Sequence, residues 1–300
     1  MTFEFFDRSA SAGTRPQDFR CRERLQVRWA EVDAQKIVFN GHYLLYADVA
    51  VSAYWRQVGF CMAQCSAAWG GELYVKKSEL TYHASAHMGD VLDLRVRCVR
   101  LGGSSLQLEV GIFRSVTLLN TVRLVYVWTT PPRQPSPLPE QLRELISAYE
   151  AGAPTMRLVS GNWNDLGRAA ERLRIDVFVR EQGVPRELEI DEFDPVARHV
   201  VVFNRIDQPV ATGRLVSAAP GVGRIGRMAV HRDLRGGALG RQVLDALVQA
   251  AQDRGDTAVV LHAQCHAQGF YERAGFVAEG DVFDEAGIAH ITMRRVLSAA

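Results

Sequence analysis

Hydrophobic and polar residues alternate along three long segments in the first half of the chain, the pattern of strands buried on one face. The apolar positions are Leu92, Leu94, Val96 and Cys98, then Leu106, Leu108, Val110 and Ile112, then Val122, Leu124, Tyr126 and Trp128. The turn Gly102-Gly103-Ser104 joins the first two segments, as it would join antiparallel neighbours. A similar alternation over residues 25–30 predicts a further strand. Together these segments predict an antiparallel sheet with one apolar face.

An unusually apolar helix is predicted before these strands. Residues 42–58 are apolar on almost every helical face, and Gly59 follows as a C-terminal stop. A helix that is apolar on all sides must be enclosed. A sheet with one apolar face can bury such a helix by wrapping around it, and we predict that arrangement for the first half.

The second half alternates strands and helices in a different order. Strands are predicted over residues 156–159, 199–203, 210–216, 227–231 and 258–263, and a final pair runs to Leu297. Asn164 or Asp165 can cap a helix that runs to about Gln182. A second helix carries apolar residues at helical spacing from residue 239 to 251, and a short one covers 267–273. This order predicts an α/β domain.

A proline-rich segment separates the two halves. Five prolines lie within residues 131–139, and neither a helix interior nor a strand interior tolerates that density. A short helix over 140–149 follows, and the small residues of 151–154 are the predicted junction. We therefore predict an N-terminal extension over 1–20, a first domain over 21–152 and a second domain over 153–300.

Composition and charge narrow the class of protein. A chain of 300 residues that is 47% hydrophobic and 23% charged suggests two globular domains. A net charge of +1 lacks the basic excess typical of nucleic-acid binders. No apolar run approaches the roughly 18 residues of a membrane helix, and no signal-peptide pattern is visible. The five scattered cysteines fit reduced thiols, so we expect a cytoplasmic protein that binds neither nucleic acid nor membrane.

A carboxylate stands shortly before the apolar helix, within the segment WAEVDAQKIVFNGHYL of residues 29–44. The side chain of Asp33 is ionised at neutral pH and can attack an acyl carbon or deprotonate water. Free N–H groups at the start of a helix can stabilise the resulting oxyanion. The plainer alternative is that Asp33 only caps a turn.

This segment resembles the hotdog thioesterases of the hydroxybenzoyl-CoA thioesterase/YbgC type, and the resemblance covers about residues 21–150. It implies a hotdog fold, in which an antiparallel sheet wraps around a central helix, with Asp33 as nucleophile or general base. It also implies an acyl-CoA substrate and a homodimer or tetramer formed through the hotdog domain. Lys36 departs from the family, which often has glycine at that position.

Hydration or dehydration of an acyl thioester is the alternative chemistry on this fold. Those reactions need a histidine paired with a carboxylate in the cleft. His42, His83 and His87 are available, but none of them lies in a pattern typical of hotdog dehydratases. We therefore predict hydrolysis.

Two glycine-rich segments lie in the second half. Residues 221–226, GVGRIG, match the dinucleotide pattern G-x-G-x-x-G but lead into a strand, so we predict a hairpin loop there. Residues 235–240, RGGALG, instead follow a strand and precede a helix. Successive N–H groups then converge on one point, which favours a bound phosphate.

The segment RGGALG resembles the pyrophosphate loop of the GNAT acetyltransferases, with Ala238 in place of the middle glycine. Three further segments resemble the ElaA-like branch: FVREQGVP at 178–185, HAQCHAQGFYERAGF at 262–276 and EAGIAHITM at 285–293. The resemblance covers about residues 155–297 and implies a GNAT α/β domain that uses acetyl-CoA or acyl-CoA as substrate, with no permanently bound cofactor. The implied CoA-binding residues are Met228, Ala229, Val230, Arg235, Gly236, Gly237, Ala238, Leu239, Gly240 and Arg241.

The same resemblance implies direct acyl transfer from acyl-CoA to an amine. Tyr271 matches the family's phenol that protonates the departing thiolate, although an ordinary packed aromatic is the alternative. The base that deprotonates the amine stays open among Glu181, Asp191, Glu192 and His262.

A metal site is not predicted. His262, Cys265 and His266 are close in sequence, but a zinc site usually needs four ligands and no second pair is evident. The sequence therefore predicts an α+β chain that fuses an acyl-CoA thioesterase to an N-acyltransferase. The alternative for the second domain is a non-catalytic sensor of acyl-CoA.

Overall fold

The computed structural model describes residues 14–297 and divides the chain into two compact units, with the boundary between Thr155 and Met156. Residues 1–13 of the predicted N-terminal extension lie outside the described residues. No helix in the described part of the chain is both long enough and apolar enough to cross a bilayer.

The first unit is built on one antiparallel sheet. Its strands are β1 (Cys21–Gln26), β2 (Glu72–Tyr82), β3 (Val91–Leu101), β4 (Ser105–Arg114), β5 (Thr117–Thr130) and the short β6 (Gln134–Pro135). Its helices are α1 (His42–Val58), α2 (Met62–Trp69) and α3 (Glu140–Glu150). The strand order is β1-β3-β4-β5-β2, and β6 pairs with β5.

Helix α1 is the element around which this sheet wraps. It contacts β1, β3, β4 and β5. Its buried residues are Tyr43, Tyr46, Ala47, Ala50, Val51, Ala53, Tyr54, Trp55 and Val58. Full burial of each large apolar side chain contributes about 1.5–3 kcal/mol. The helix ends where predicted, because Gly59 adopts a left-handed φ of 83° and its N–H bonds back to the carbonyl of Trp55.

One face of α1 differs from the expectation of a fully enclosed helix. Leu44, Leu45 and Val49 are 39%, 60% and 41% exposed. The sheet covers the opposite side of the helix, so these three apolar residues remain uncovered within the unit.

The strand predicted over residues 25–30 lies four residues earlier in the chain. Strand β1 ends at Gln26, and Trp29–Glu31 form a 3-10 turn in which Trp29 is 80% exposed. The Glu31 carboxylate accepts a hydrogen bond from the backbone N–H of Arg28 at 2.8 Å. This local bond closes the turn. The strand therefore stops before Trp29, although the alternation of apolar and polar residues continues to residue 30.

The second unit contains a mixed sheet. Its strands are β7 (Met156–Gly161), β8 (Arg198–Asn204), β9 (Pro209–Ala219), β10 (Val222–Val230), β11 (Ala258–Gln264), β12 (Val277–Glu285) and β13 (Ile288–Val296). Its helices are α4 (Trp163–Arg174), α5 (Leu239–Asp253) and α6 (Gln268–Glu272), and π-helical turns over Ile175–Glu181 continue α4. The order is β12-β13-β11-β10-β9-β8-β7. Among the strands described, β10 and β11 pair in parallel and the other neighbours are antiparallel.

The cap of helix α4 corrects the sequence prediction. The capping residue is Asn162, two residues before Asn164, and its side-chain oxygen accepts a hydrogen bond from the N–H of Asp165 at 3.1 Å. Asp165 therefore lies in the first turn and supplies the donor rather than the cap. Both residue types suit a cap, so composition alone placed the start of the helix too late.

The glycines of residues 221–226 also lie differently from the predicted loop. Only Gly221, with φ of 71°, belongs to the turn before β10. A Cβ on Gly223 would lie 2.8 Å from Leu215 Cδ1 and 2.8 Å from Asp256 Oδ2. Glycine is therefore needed at position 223 for close packing inside a strand.

A single glycine controls how closely α5 packs on this sheet. A Cβ on Gly213 of β9 would lie 2.6 Å from Met228 Sδ, 2.8 Å from Leu247 Cδ1 and 3.0 Å from Val243 Cγ1. We expect Gly213→Ala to destabilise the protein by about 1–3 kcal/mol through overpacking, measured as a lower midpoint of urea unfolding. Gly103→Ala is the control, because a Cβ there meets nothing within 4 Å. An unchanged midpoint for Gly213→Ala would contradict this packing.

Candidate functional site

A cavity of about 850 Å³ opens in the second unit where β10 and β11 separate. These strands pair in register only from Val222 and Ala258 to Arg224 and Val260. Beyond that point the edge of β10 that faces β11 has no ladder partner among the described strands. Backbone N–H and C=O groups that are buried away from water almost always form hydrogen bonds. The cavity wall therefore offers main-chain donors and acceptors to a bound molecule.

A β-bulge in β10 marks the start of this opening. The register with β9 shifts between Gly226 and Ala229, and Arg227 adopts a positive φ of 53°. The Arg227 guanidinium donates to the carbonyl of Leu188 at 2.9 Å and to Asp191 at 3.1 Å. These bonds hold the strained residue, and the backbone of the following residues borders the cavity.

The glycine-rich turn lies at the end of β10 and leads directly into α5. Gly236 has φ of 80°, and Ala238 precedes the helix with φ of 65°. Ala238 has no polar side chain to cap the helix, so the first amides of α5 are not used by a side-chain cap there. A helix start with free N–H groups attracts anions.

Most of the predicted CoA-binding residues line this one cavity. They are Met228, Ala229, Val230, Arg235, Gly236, Ala238, Leu239, Gly240 and Arg241. Gly237 is not part of the lining. Ala238 adopts the left-handed conformation that glycine normally supplies, at a cost of about 1–2 kcal/mol. Ala238, which stands in place of the middle glycine of the GNAT loop, therefore keeps the left-handed backbone conformation at this position.

Arg235 is tied down inside the site by a carboxylate. Its guanidinium donates twice to Glu181, at 2.6 and 2.8 Å, and once to the carbonyl of Val230 at 3.1 Å. The hydrogen bonds from Arg235 hold the pKa of Glu181 below its usual value. Glu181, one of the four candidate bases, is thus neutralised by an ion pair.

The other candidate bases have different surroundings. Burial opposes ionisation of Asp191, but two bonds from Arg214 at 2.6 Å and one from Arg227 outweigh it and lower the pKa of Asp191. Glu192 is exposed and does not line the cavity. His262 lines the cavity and contacts a carboxylate that the sequence had not singled out, that of Glu285.

Tyr271 lies in the cavity wall on α6. It is 8% exposed and packs edge-on against Phe270, with ring centroids 4.9 Å apart, and against Phe276 at 6.0 Å. Burial raises the pKa of Tyr271 to about 12. The residue is therefore a packed aromatic and also a phenol that stays protonated in the physiological range.

Asp33 forms a tight turn in the first unit. Its carboxylate accepts from the N–H of Gln35 at 2.8 Å, its own N–H donates to the carbonyl of Ile37, and Lys36 has a positive φ of 62°. The turn-capping role considered for Asp33 is therefore present, and the side chain remains half-buried. Lys36 thus adopts a left-handed conformation that glycine reaches without steric cost.

A buried acid that sequence analysis missed anchors this turn to α1. Glu31 accepts from the Tyr46 hydroxyl at 2.8 Å and from the Arg28 Nε at 2.8 Å. Burial opposes ionisation of Glu31, but these bonds outweigh it and lower its pKa. No local sequence pattern predicts that Glu31 anchors the turn, because its burial and its contact with Tyr46 arise only when the chain folds.

The histidines considered for dehydratase chemistry lie in different settings. His42 stacks near Tyr46 on α1, with ring centroids 6.5 Å apart. His83 is hydrogen-bonded to Thr121 at 3.1 Å. His87 lies 3.9 Å from the Asp90 carboxylate, which Arg114 already engages at 2.7 Å. Across the described residues no group of three or more His, Cys, Asp or Glu side chains is arranged to hold a metal ion.

The raised pKa of Tyr271 gives a direct test of its burial. Because the folded protein favours the neutral phenol, its stability falls as the pH rises from about 10, the ordinary value, through about 12. We expect the ¹³C resonance of the Tyr271 ring carbon Cζ, assigned with Tyr271→Phe, to titrate at about 12. A midpoint near 10 would show that the phenol is solvated.

Comparisons with known proteins agree with both halves. The family model for the acetyltransferase (GNAT) domain matches residues 169–297, and that for the thioesterase-like superfamily matches residues 27–146. The uncharacterized N-acetyltransferase YjcF of Bacillus subtilis is 37% identical over 124 residues, which cover 41% of this chain and 87% of that protein. Protein ElaA of Escherichia coli is 35% identical over 130 residues, which cover 41% and 83%.

Solved structures include chains that are similar to part of this one. A thioesterase from Thermus thermophilus, complexed with coenzyme A and Zn, is 28% identical, with a TM-score of 0.40, and covers 46% of this chain and 98% of that one. The predicted hotdog and GNAT folds are confirmed by the two family models. The chain belongs to the GNAT acetyltransferase family and carries a thioesterase-like hotdog domain ahead of its GNAT domain.

Proposed function

We propose that the chain is a bifunctional acyl-CoA enzyme. Residues 21–152 hydrolyse an acyl-CoA thioester, and residues 153–300 transfer an acyl group from acetyl-CoA or acyl-CoA to an amine. The observation that carries the proposal is the cavity between β10 and β11, because it joins an open strand edge, an anion-binding helix start and a protonated phenol.

The transfer half would bind acyl-CoA along β10. The pyrophosphate lies at the start of α5, where Gly236 and Ala238 shape the turn. The pantetheine arm extends along the unpaired edge of Met228–Val230 and forms main-chain hydrogen bonds there. A volume of about 850 Å³ lies within the range of pockets that enclose a small-molecule ligand.

Tyr271 would act as the general acid of this transfer. A thiolate is released when the amine displaces coenzyme A, and a nearby phenol can protonate it. The pKa of about 12 keeps the Tyr271 hydroxyl protonated in the physiological range. Its packing against Phe270 and Phe276 fixes the ring in the cavity wall.

The hydrolytic half would use Asp33 as nucleophile or general base. The carboxylate accepts one hydrogen bond from the Gln35 N–H and is half-buried. Its remaining lone pairs can still accept hydrogen bonds from water or substrate. Glu31 ties the turn to α1, whose N-terminal amides would polarise the thioester oxygen.

The hotdog half would associate into a homodimer or tetramer. Strand β2 lies at the edge of its sheet and exposes Tyr74, Val75 and Tyr82. Exposed apolar side chains on an unpaired edge strand are a typical association surface. The uncovered face of α1 adds apolar area of the same kind.

Replacement of Asp33 tests the hydrolytic site. Asp33→Asn removes the charge but keeps an oxygen that can accept from Gln35, so the turn should persist. We expect thiol release from a panel of acyl-CoAs, without amine, to fall by about 100-fold or more. Asp207→Asn, on a surface loop of the second unit, is the control and should retain full hydrolysis. Intact hydrolysis in Asp33→Asn would exclude Asp33 as the catalytic group.

Replacement of Tyr271 tests the transfer site. Tyr271→Phe keeps the ring packing against Phe270 and Phe276 and removes only the hydroxyl. We expect amine-dependent thiol release to fall by about 100-fold, with hydrolysis by the first half unchanged. The affinity for coenzyme A, measured by calorimetry, should also remain unchanged. An undiminished transfer rate would leave Tyr271 as a packing residue only.

A further inference from the structure

A histidine and a glutamate form a pair in the wall of the acyl-transfer cavity. His262 Nδ1 lies 2.9 Å from Glu285 Oε2, and both residues line the cavity together with Tyr271. Phe283 packs edge-on against the His262 ring, with centroids 4.9 Å apart. The imidazole is therefore held between a carboxylate and an aromatic ring, and it does not rotate as a free surface side chain would.

The hydrogen bond to Glu285 sets the tautomer of His262. An ionised carboxylate only accepts hydrogen bonds, so Nδ1 must carry the proton. In the neutral ring Nε2 then holds a lone pair and can accept a proton. The Glu285 charge also stabilises the imidazolium that forms, as the aspartate does in a catalytic triad.

The position of His262 on β11 directs it toward the opening. Arg224 of β10 pairs with Val260 of β11, so their side chains project from the same face of the sheet. His262 lies two residues beyond Val260 and therefore projects from that face as well. It stands at the point where β10 has diverged, beside the strand edge along which the thioester would lie.

Several other titratable groups in the wall are less suited to accept a proton. Glu181 and Asp191 are held by two or more bonds from arginines, which lower the pKa of each. Glu189 is buried against Arg174 at 2.5 Å. His290 directs its Nδ1 to the neutral carbonyl of Ile288, so no carboxylate supports its protonation there.

We propose that His262, oriented by Glu285, is the general base that deprotonates the acceptor amine, an inference that rests on the acyl transfer proposed above. Nε2 takes one proton from the ammonium form of a primary amine. The nitrogen lone pair then attacks the thioester carbon, a C–N bond forms and the C–S bond breaks. The thiolate leaves with the Tyr271 proton, and the second proton lost from nitrogen restores the phenol. His262 returns its proton to water, so the net products are an amide, free thiol and one proton.

Kinetics of matched variants test this assignment. We expect His262→Gln to lower kcat for amine-dependent thiol release by about 100-fold or more, with KM for acyl-CoA unchanged. Added imidazole should restore part of the rate to His262→Ala. Glu285→Gln should lower kcat by about ten-fold, because its amide oxygen still accepts from Nδ1 but carries no charge. Glu279→Gln, on the same strand and outside the cavity lining, is the control and should be unchanged.

A spectroscopic readout separates this inference from the proposed function. Long-range ¹H–¹⁵N spectra of the wild-type protein should show His262 protonated at Nδ1 and unprotonated at Nε2, and Glu285→Gln should weaken that preference. If wild type transfers acyl groups and His262→Gln keeps its kcat, the base assignment is overturned while the transfer activity stands. If no amine accelerates thiol release by wild type, the transfer activity fails and the base assignment fails with it. A neutral His262 ring that carries its proton on Nε2 instead of Nδ1 would overturn the assignment at any level of activity.

Discussion

The second unit depends on the early end of pairing between β10 and β11. Main-chain polar groups normally find partners in a neighbouring strand, and a parallel pair that stops after Arg224 and Val260 leaves one edge open. The bulge at Arg227 lies where the strands diverge, and hydrogen bonds from its side chain to Leu188 and Asp191 hold this residue at a positive φ. The strained backbone at Arg227 thus coincides with the start of the open edge of β10.

A network of arginines and acids borders the cavity, where Glu189, Asp191 and Arg214 form part of the lining. Arg174 contacts both Glu189 and Asp194, and Arg214 contacts Asp191 and Asp194. Burial opposes ionisation of Asp194, but the two arginines outweigh it and lower its pKa to about 2. Loss of one partner from such a network leaves a buried charge uncompensated, at a cost of about 3–5 kcal/mol. Asp191, one of the acids that the sequence left open as the base, is part of this network.

Sequence patterns predicted the elements that are governed by local periodicity. Helix α1 begins and ends at the predicted residues because its buried residues recur at helical spacing and Gly59 stops it. Strand β2 was missed because most of its residues are exposed on both faces, so it shows no alternation. The cap was misplaced because Asn162, Asn164 and Asp165 all have side chains that suit the role.

In the candidate sites, features set by a short segment were likewise predictable, whereas contacts between distant residues were not. The turn before α5 was recognisable because glycine spacing reflects backbone conformation, which a short segment determines by itself. The partner of His262 was not recognisable from the sequence. Glu285 is 23 positions away and reaches His262 only through the β12–β13 hairpin. Glu31 likewise meets Tyr46 only after the chain has turned back onto α1.

The link between Glu31 and Tyr46 constrains how the first unit can move. A carboxylate shared between the helix and the turn couples the two, so a displacement of α1 carries Asp33 with it. In the proposed hydrolysis, the position of Asp33 relative to α1 is thus set in the folded chain before a thioester binds.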